Sequence, residues 1–299
     1  MGAPPESPLL EQSSNVEEVK PAPLPVPWIK VGWFMALLIV CYLPTLTRLV
    51  NQWMNDEDMG HGFFVPVVAG YIAWLNREKL ISMDWSGSNF GLVIIAFGAF
   101  QLMIGTLGAE LFLQRTAFIE SLVGVVLYLG GWQVLKELAF PLFLTIFMIP
   151  LPAIIYSQIT FPLQLFASAV AETTLNSIGI PVLREGNVLE LASQKLSVVE
   201  ACSGIRSLLS LTFLSLVYGF FFDKKEWMRW VLLGATIPIA IVANASRVTI
   251  TGIISEINTE FANGFFHVLE GWVIFMVALG LLVGFHKLVN RFSPGVKHA

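Results

Sequence analysis

The sequence predicts an all-α integral membrane protein: about eight transmembrane helices, an interfacial helix and a short extracytoplasmic β-hairpin-like element. Three observations carry this prediction. Hydrophobic residues make up 56% of the chain and charged residues only 13%, whereas soluble domains carry about 25% charged residues. The mean hydropathy is +0.73. The apolar residues also fall into stretches near the length of about 20 residues that a bilayer core demands, and 299 residues accommodate about eight of them.

Taken in order, the first 28 residues hold seven of the 16 prolines and four glutamates, the composition of a disordered tail. No cleavable signal peptide is evident. Apolar spans are expected near 29–50, 61–76, 90–107, 116–134, 138–156, 203–222, 229–253 and 266–286. Residues 157–178 mix apolar positions with Ser157, Gln158, Gln164, Glu172, Thr173 and Asn176, which predicts an interfacial or re-entrant helix. From Val182 to Val199 the chain alternates around Glu185-Gly186-Asn187, the pattern of a hairpin outside the hydrocarbon. The organisation expected is therefore a cytoplasmic tail (1–28), a polytopic membrane domain (29–290) with an extracytoplasmic insert (157–202), and a short cytoplasmic tail (291–299).

Orientation follows from the basic residues. With the tail inside, the cytoplasmic segments hold Lys20, Lys30, Arg77, Lys79, Lys136, Lys224, Lys225, Arg229, Lys287, Arg291 and Lys297, which is 11 of 17. Arg48, Arg115, Arg184, Lys195, Arg206 and Arg247 fall on the other side, with the acidic run Asp56-Glu57-Asp58. This predicts both termini inside and residues 157–202 outside.

The scattered basic residues exclude a nucleic-acid footprint. Two cysteines, Cys41 and Cys202, exclude a disulfide framework or a cysteine-rich metal site, and neither a cofactor nor a metal is expected. Cys41 lies mid-span, as a small apolar residue. Cys202 stands in Glu200-Ala-Cys-Ser-Gly-Ile-Arg206, just before the sixth span. A helix N-terminus lowers a thiol pKa, because its unpaired N–H groups favour the thiolate, and Arg206 adds to this from one turn on. Arg247 ends Asn244-Ala-Ser-Arg247 late in the seventh span, with Asn244 on the same face to orient it. His267 opens the eighth span in Phe265-Phe-His-Val-Leu-Glu-Gly271. Charge counting in the loops brings Cys202, Arg247 and His267 to one outer surface. A thiol, a guanidinium and an imidazole there suit acyl transfer: nucleophile, oxyanion donor or orienter, and proton carrier. His61, in His61-Gly-Phe-Phe-Val-Pro66, opens the second span on that side, as a cleft residue or a helix start. Glu200 and Glu270 either orient His267 or form ordinary ion pairs.

At these residues the sequence resembles the bacterial exosortases of the exosortase/archaeosortase family. The ordered motifs around Cys202, Arg247 and His267 carry the likeness, with His61 to Pro66 and Val182 to Val199 in support, over roughly residues 30–290. The resemblance implies a Cys–Arg–His membrane protease or transpeptidase of the bacterial inner membrane, linked to exopolysaccharide production. Its partners would be membrane lipids and proteins bearing a C-terminal sorting signal: a short motif, often Pro-Glu-Pro, then a hydrophobic helix and a basic tail. Two other readings stand beside it. A non-enzymatic transporter or polysaccharide-assembly protein predicts mid-membrane charges and repeat symmetry. An intramembrane metal or glutamate protease predicts a His-Glu-x-x-His or paired glutamates within a span, and neither occurs.

Overall fold

The computed structural model describes residues 25–198, 204–223, 225–258 and 265–292, with backbone only at 57–58, 204–207, 226, 265–268 and 270. The expected tail over 1–28 thus lies almost wholly outside the described residues, as does most of 291–299. The helices are α1 (Trp28–Asn55), α2 (Phe64–Leu75), α3 (Arg77–Ser82), α4 (Phe90–Leu107), α5 (Leu111–Leu144), α6 (Ala153–Ser177), α7 (Gly204–Phe222), α8 (Glu226–Ile257) and α9 (Phe265–Phe292). Turns of 3₁₀ helix run over Glu57–Phe63 and Thr145–Met148. A small sheet joins α6 to α7 through β1 (Val182–Glu185), β2 (Val188–Leu191) and β3 (Lys195–Ser197).

Among the described residues, six helical runs are long and apolar enough to cross a membrane, Leu111–Met148 counted as one, and two apolar helices are shorter, Met59–Leu75 and Leu208–Phe222. The chain is therefore a multi-pass helical protein, while helix length and composition do not establish a count of eight. The run Leu111–Met148 is itself folded back. Arg115 donates from Nη2 to Gln52 Oε1 at 2.7 Å, and Met148 O accepts from Trp53 Nε1 at 3.0 Å. Along one straight helix the 33 residues from Arg115 to Met148 would span about 50 Å, yet both meet the same turn of α1. The reversal is at Gly131, whose φ of 72° and ψ of −173° are not helical. A side chain there would strike the Ser86 carbonyl. The two arms, before and after Gly131, overlap the fourth and fifth expected spans but start several residues earlier, and the expected end of the fifth, 153–156, opens α6.

Close backbone approach builds this first half. Gly91, Gly98 and Gly105 are all buried on α4 at seven-residue spacing. They meet the Tyr128 backbone, Ser121 and Gln114 of α5, where a methyl group would collide or press. On α1 the buried stripe is Leu38, Tyr42, Thr45, Leu49 and Trp53, the spacing of one helix face. Tyr42 Oη lies 2.8 Å from Ser121 Oγ and donates to Ala117 O at 3.0 Å.

The expected hairpin is a three-stranded antiparallel meander, with Val182 opposite Leu191 and Leu189 opposite Leu196. Gly186 and Asn187 make its first turn, and the φ of +65° at Gly186 is one that glycine adopts without steric cost. Leu189, Leu191, Leu196 and Val198 alternate onto one face and pack on Ala167, Ala171 and Leu175 of α6 and Ala245 and Val248 of α8.

The polar residues that suggest an interfacial helix over 157–178 have a different use. They lie on α6, a continuous helix of 25 residues that meets the length and hydropathy needed to cross. Gln164 Oε1 accepts from Asn187, Glu172 pairs with Arg184 at 2.8 Å, and Asn176 Oδ1 accepts from the Val182 N–H. These three bind the sheet, while Ser157 and Thr173 donate to carbonyls of their own helix.

The reversal yields a test. A non-glycine residue in the Gly131 conformation costs about 1–3 kcal/mol, before any collision with Ser86. Gly131→Ala should therefore lower the thermal unfolding midpoint of the detergent-purified protein. Gly280→Ala, on a face of α9 with nothing within 4 Å, should leave it unchanged or slightly raised. Equal midpoints would show that the reversal does not rest on this backbone.

Candidate active site

The site is built around α8, which is packed on two sides. Ala245 and Val248 belong to the core beneath the sheet, while Ala240 and Ala243 belong to the core shared with α7 and α9. Above them the β2–β3 connection is tied to the last turns of α8. Glu256 accepts from the Ser193 N–H at 3.1 Å and from its hydroxyl at 2.8 Å, and Gln194 donates to Ser255 at 2.9 Å. Lys195 pairs with Glu190 on the same sheet, a hydrogen bond that holds its ammonium above the usual lysine range.

Between these layers sit the two polar residues predicted for α8. Asn244 and Arg247 are both buried, at 6% and 8% exposure. The Arg247 backbone carbonyl accepts from Thr251 Oγ1 at 3.0 Å, one turn on. The guanidinium lies against α9 at Gly271. A β-carbon built there would be 3.3 Å from Nη2, 3.4 Å from Cζ and 3.6 Å from Nη1. Glycine at 271 thus lets the charged group meet the helix backbone closely. His267 precedes Gly271 by one turn of α9, on the same helix face; its side chain is outside the described set.

Cys202 and Glu200 lie outside the described residues, and of Arg206 the backbone alone is described, in the first turn of α7. The described residues flanking Cys202 meet α8 near Asn244 and Arg247. On one side Val198 packs with Ala245 and Val248 and donates its N–H to Asn187 O at 2.9 Å. On the other, Leu208 of α7 shares a narrow crevice with Asn244, Leu163, Ala240 and Ile241.

His61 meets α7 from the first half of the chain. It is half-buried in the 3₁₀ turn before α2, with Nε2 3.2 Å from Phe147 O and Nδ1 3.3 Å from Ser210 Oγ. Ser210 is six residues past Gly204, about 9 Å along α7. His61 therefore contacts the body of α7. Cys41 is exposed on α1. Sequence reading passes over the role of Gly271; its position four residues after His267, in the same short motif, was the available signal. Among the described residues no group of three or more His, Cys, Asp or Glu is placed to hold a metal ion.

Neither curated proteins nor solved structures give a match to this chain. The sequence model of the transmembrane exosortase family (Exosortase_EpsH) matches residues 53–284. That span runs from the last turns of α1 into the last third of α9 and includes Cys202, Arg247 and His267. A multi-pass helical bundle with a buried arginine at the foot of a small sheet, matched by this family over more than half its length, belongs to the transmembrane exosortases.

Proposed function

We propose that this exosortase is a cysteine peptidase or transpeptidase that removes C-terminal sorting signals from exported proteins through an acyl-enzyme on Cys202. One observation carries the reading: the Arg247 guanidinium lies against the first turns of the helix that bears His267. Chain connectivity adds the thiol. Cys202 is two residues from Gly204 and four from Val198, so extended chain allows at most about 7 Å and 14 Å respectively. Val198 and Leu208 each meet α8 beside Asn244 or Arg247.

In this mechanism the Cys202 thiolate attacks the scissile carbonyl carbon, and Arg247 donates to the tetrahedral oxyanion. The C–N bond then breaks as His267 gives its proton to the leaving amine. Water or an acceptor amine then attacks the thioester, giving its proton to His267, and the thiolate leaves. Asn244 and Arg206 support the site, and Glu200 and His61 are not assigned a step. The substrate tail carries a short motif of the Pro-Glu-Pro type, a hydrophobic helix and basic residues. The enzyme sits in the bacterial inner membrane with both termini cytoplasmic and its site outside.

Topology is tested by placing single cysteines at Lys195 and Lys287 in a chain lacking Cys41 and Cys202. A membrane-impermeant maleimide should label the first from outside intact cells and the second only after permeabilisation. The reverse pattern, or equal labelling, would remove the outward-facing site.

The chemistry is tested by Cys202→Ala and Cys202→Ser, both of which should abolish release of the tail from a reporter carrying a Pro-Glu-Pro signal. Cys41→Ala should leave release largely intact. Near wild-type release by inserted Cys202→Ala protein would eliminate the thiol mechanism.

The roles of Arg247, Gly271 and His267 separate by kinetics. Loss of one oxyanion donor typically costs about 10²–10³ in rate, so Arg247→Ala should fall by that order, with Arg247→Lys between it and wild type. Gly271→Ala should displace the guanidinium and slow release, while helix propensity keeps the protein at least as stable. His267→Ala should slow alkylation of Cys202 at neutral pH, the gap closing as pH rises past the free-thiol value of about 8.5. An unchanged alkylation profile in His267→Ala, with a strong shift in Arg247→Ala, would make arginine the stabiliser of the thiolate.

A further inference from the structure

At the other end of α7, α8 and α9 lies a polar cluster that the mechanism does not use. Asp223, in the turn between α7 and α8, is buried, as is His286 on α9. His286 Nε2 is 2.9 Å from Asp223 Oδ2, and Asn290, one turn further along α9, donates to the same oxygen at 3.0 Å. The Lys225 backbone N–H donates to Asp223 Oδ1 at 2.8 Å, so the carboxylate also closes the turn that starts α8. Tyr218 of α7 places its hydroxyl 2.9 Å from His286 Nδ1. Lys225 Nζ donates to Asn290 Oδ1 at 3.3 Å. Burial pushes the Asp223 carboxyl up, but the hydrogen bonds from His286, the Lys225 amide and Asn290 outweigh it and hold it below its usual range.

The three helices gathered here are those that carry or follow the three candidate site residues. Nineteen residues separate Gly204, the start of α7 two positions past Cys202, from Asp223; 22 separate Lys225 from Arg247, and 19 separate His267 from His286. At about 1.5 Å per residue each interval is roughly 30 Å. Three nearly equal lengths of helix therefore rise from one hydrogen-bonded base. We infer that Asp223, His286 and Asn290 are positioning residues: they fix α7, α8 and α9 in depth and rotation, so that Cys202, Arg247 and His267 meet at one level at the far end. A helix is stiff, and a slip at the base moves the tip with it. Two of the five side chains, Tyr218 and His286, also contact through their rings, with centroids 5.2 Å apart at 90°, which sets the rotation of α9 as well as its height.

The catalytic part of this inference rests on the acyl-transfer reading; the register part does not, and the experiment separates them. Register is read without catalysis by oxidative cross-linking of Ala240→Cys with Ala278→Cys, two buried positions of the α8–α9 core, in a chain lacking Cys41 and Cys202. The pair should cross-link efficiently with the base intact and several-fold more slowly in Asp223→Ala. Asn290→Ala, which keeps the Asp223–His286 pair, gives a milder variant should Asp223→Ala fail to insert, and should show a smaller loss. Release of the tail, measured with Cys202 present, should fall in kcat by about 10–100-fold in Asp223→Ala, as expected for small misplacement of reacting groups. KM should be little changed. His286→Gln, which keeps a donor toward Asp223, should recover most of the rate. Unchanged cross-linking, or loosened cross-linking with undiminished kcat, would overturn the positioning role. Release that survives Cys202→Ala would instead sink the acyl-transfer reading and leave the cross-linking result standing.

Discussion

The distance at which α9 approaches α8 beside Arg247 governs the candidate site. A guanidinium inside a membrane bundle cannot be solvated by lipid, so it persists only where protein closes around it. Glycine at 271 lets the helix backbone itself form one wall, with the nearest guanidinium atoms 3.3–3.6 Å from where a side chain would begin. The same contact sets the separation between the helix of Arg247 and the helix of His267. Charge burial and site geometry are therefore one constraint, carried by two residues on neighbouring helices.

That constraint needs helices that hold their places without a hydrophobic force between them, because lipid tails are as apolar as leucine. Packing and interhelical hydrogen bonds supply the order. In the first half of the chain Gly91, Gly98 and Gly105 let α4 and α5 approach at backbone distance. Tyr42 and Ser121 tie α1 to α5, and Gln101 donates to Thr116 at 2.7 Å between α4 and α5. In the second half the hydrogen-bonded base at Asp223, His286 and Asn290 has this role. Removing one partner of a buried hydrogen bond leaves the other unsatisfied, typically at a cost of about 1–3 kcal/mol.

The sheet is the third part. It is too small to stand alone, since isolated hairpins are marginal in water, and it borrows stability from α6 and α8. Leu189, Leu196 and Val198 are buried against those helices, and its polar edge is bonded to Gln164, Glu172 and Glu256. Through Val198, packed on α8, it leads into the segment that carries Cys202. In physical terms it is a rigid lead-in to the cysteine segment.

Local chemistry was legible in the sequence. Apolar runs near 90–107 and 203–222 give helices at almost those bounds, because length and hydropathy act residue by residue. The Gly186-Asn187 turn and the alternation around it give the strands for the same reason. Arg247 stands out because an arginine in an apolar run is costly wherever it folds. Tertiary structure alone decided which residues meet. The sequence divides this stretch into two expected spans, 116–134 and 138–156. That the chain folds back at Gly131, so that Arg115 and Met148 meet one turn of α1, is decided by tertiary contacts. The polar residues of α6 look interfacial until the sheet is seen to bind them. Asp223 and His286 are 63 residues apart and read as span ends, since spacing along a chain carries no information about pairing across helices. Pairing is set by which faces the packed bundle turns toward each other, and that is a property of the whole fold.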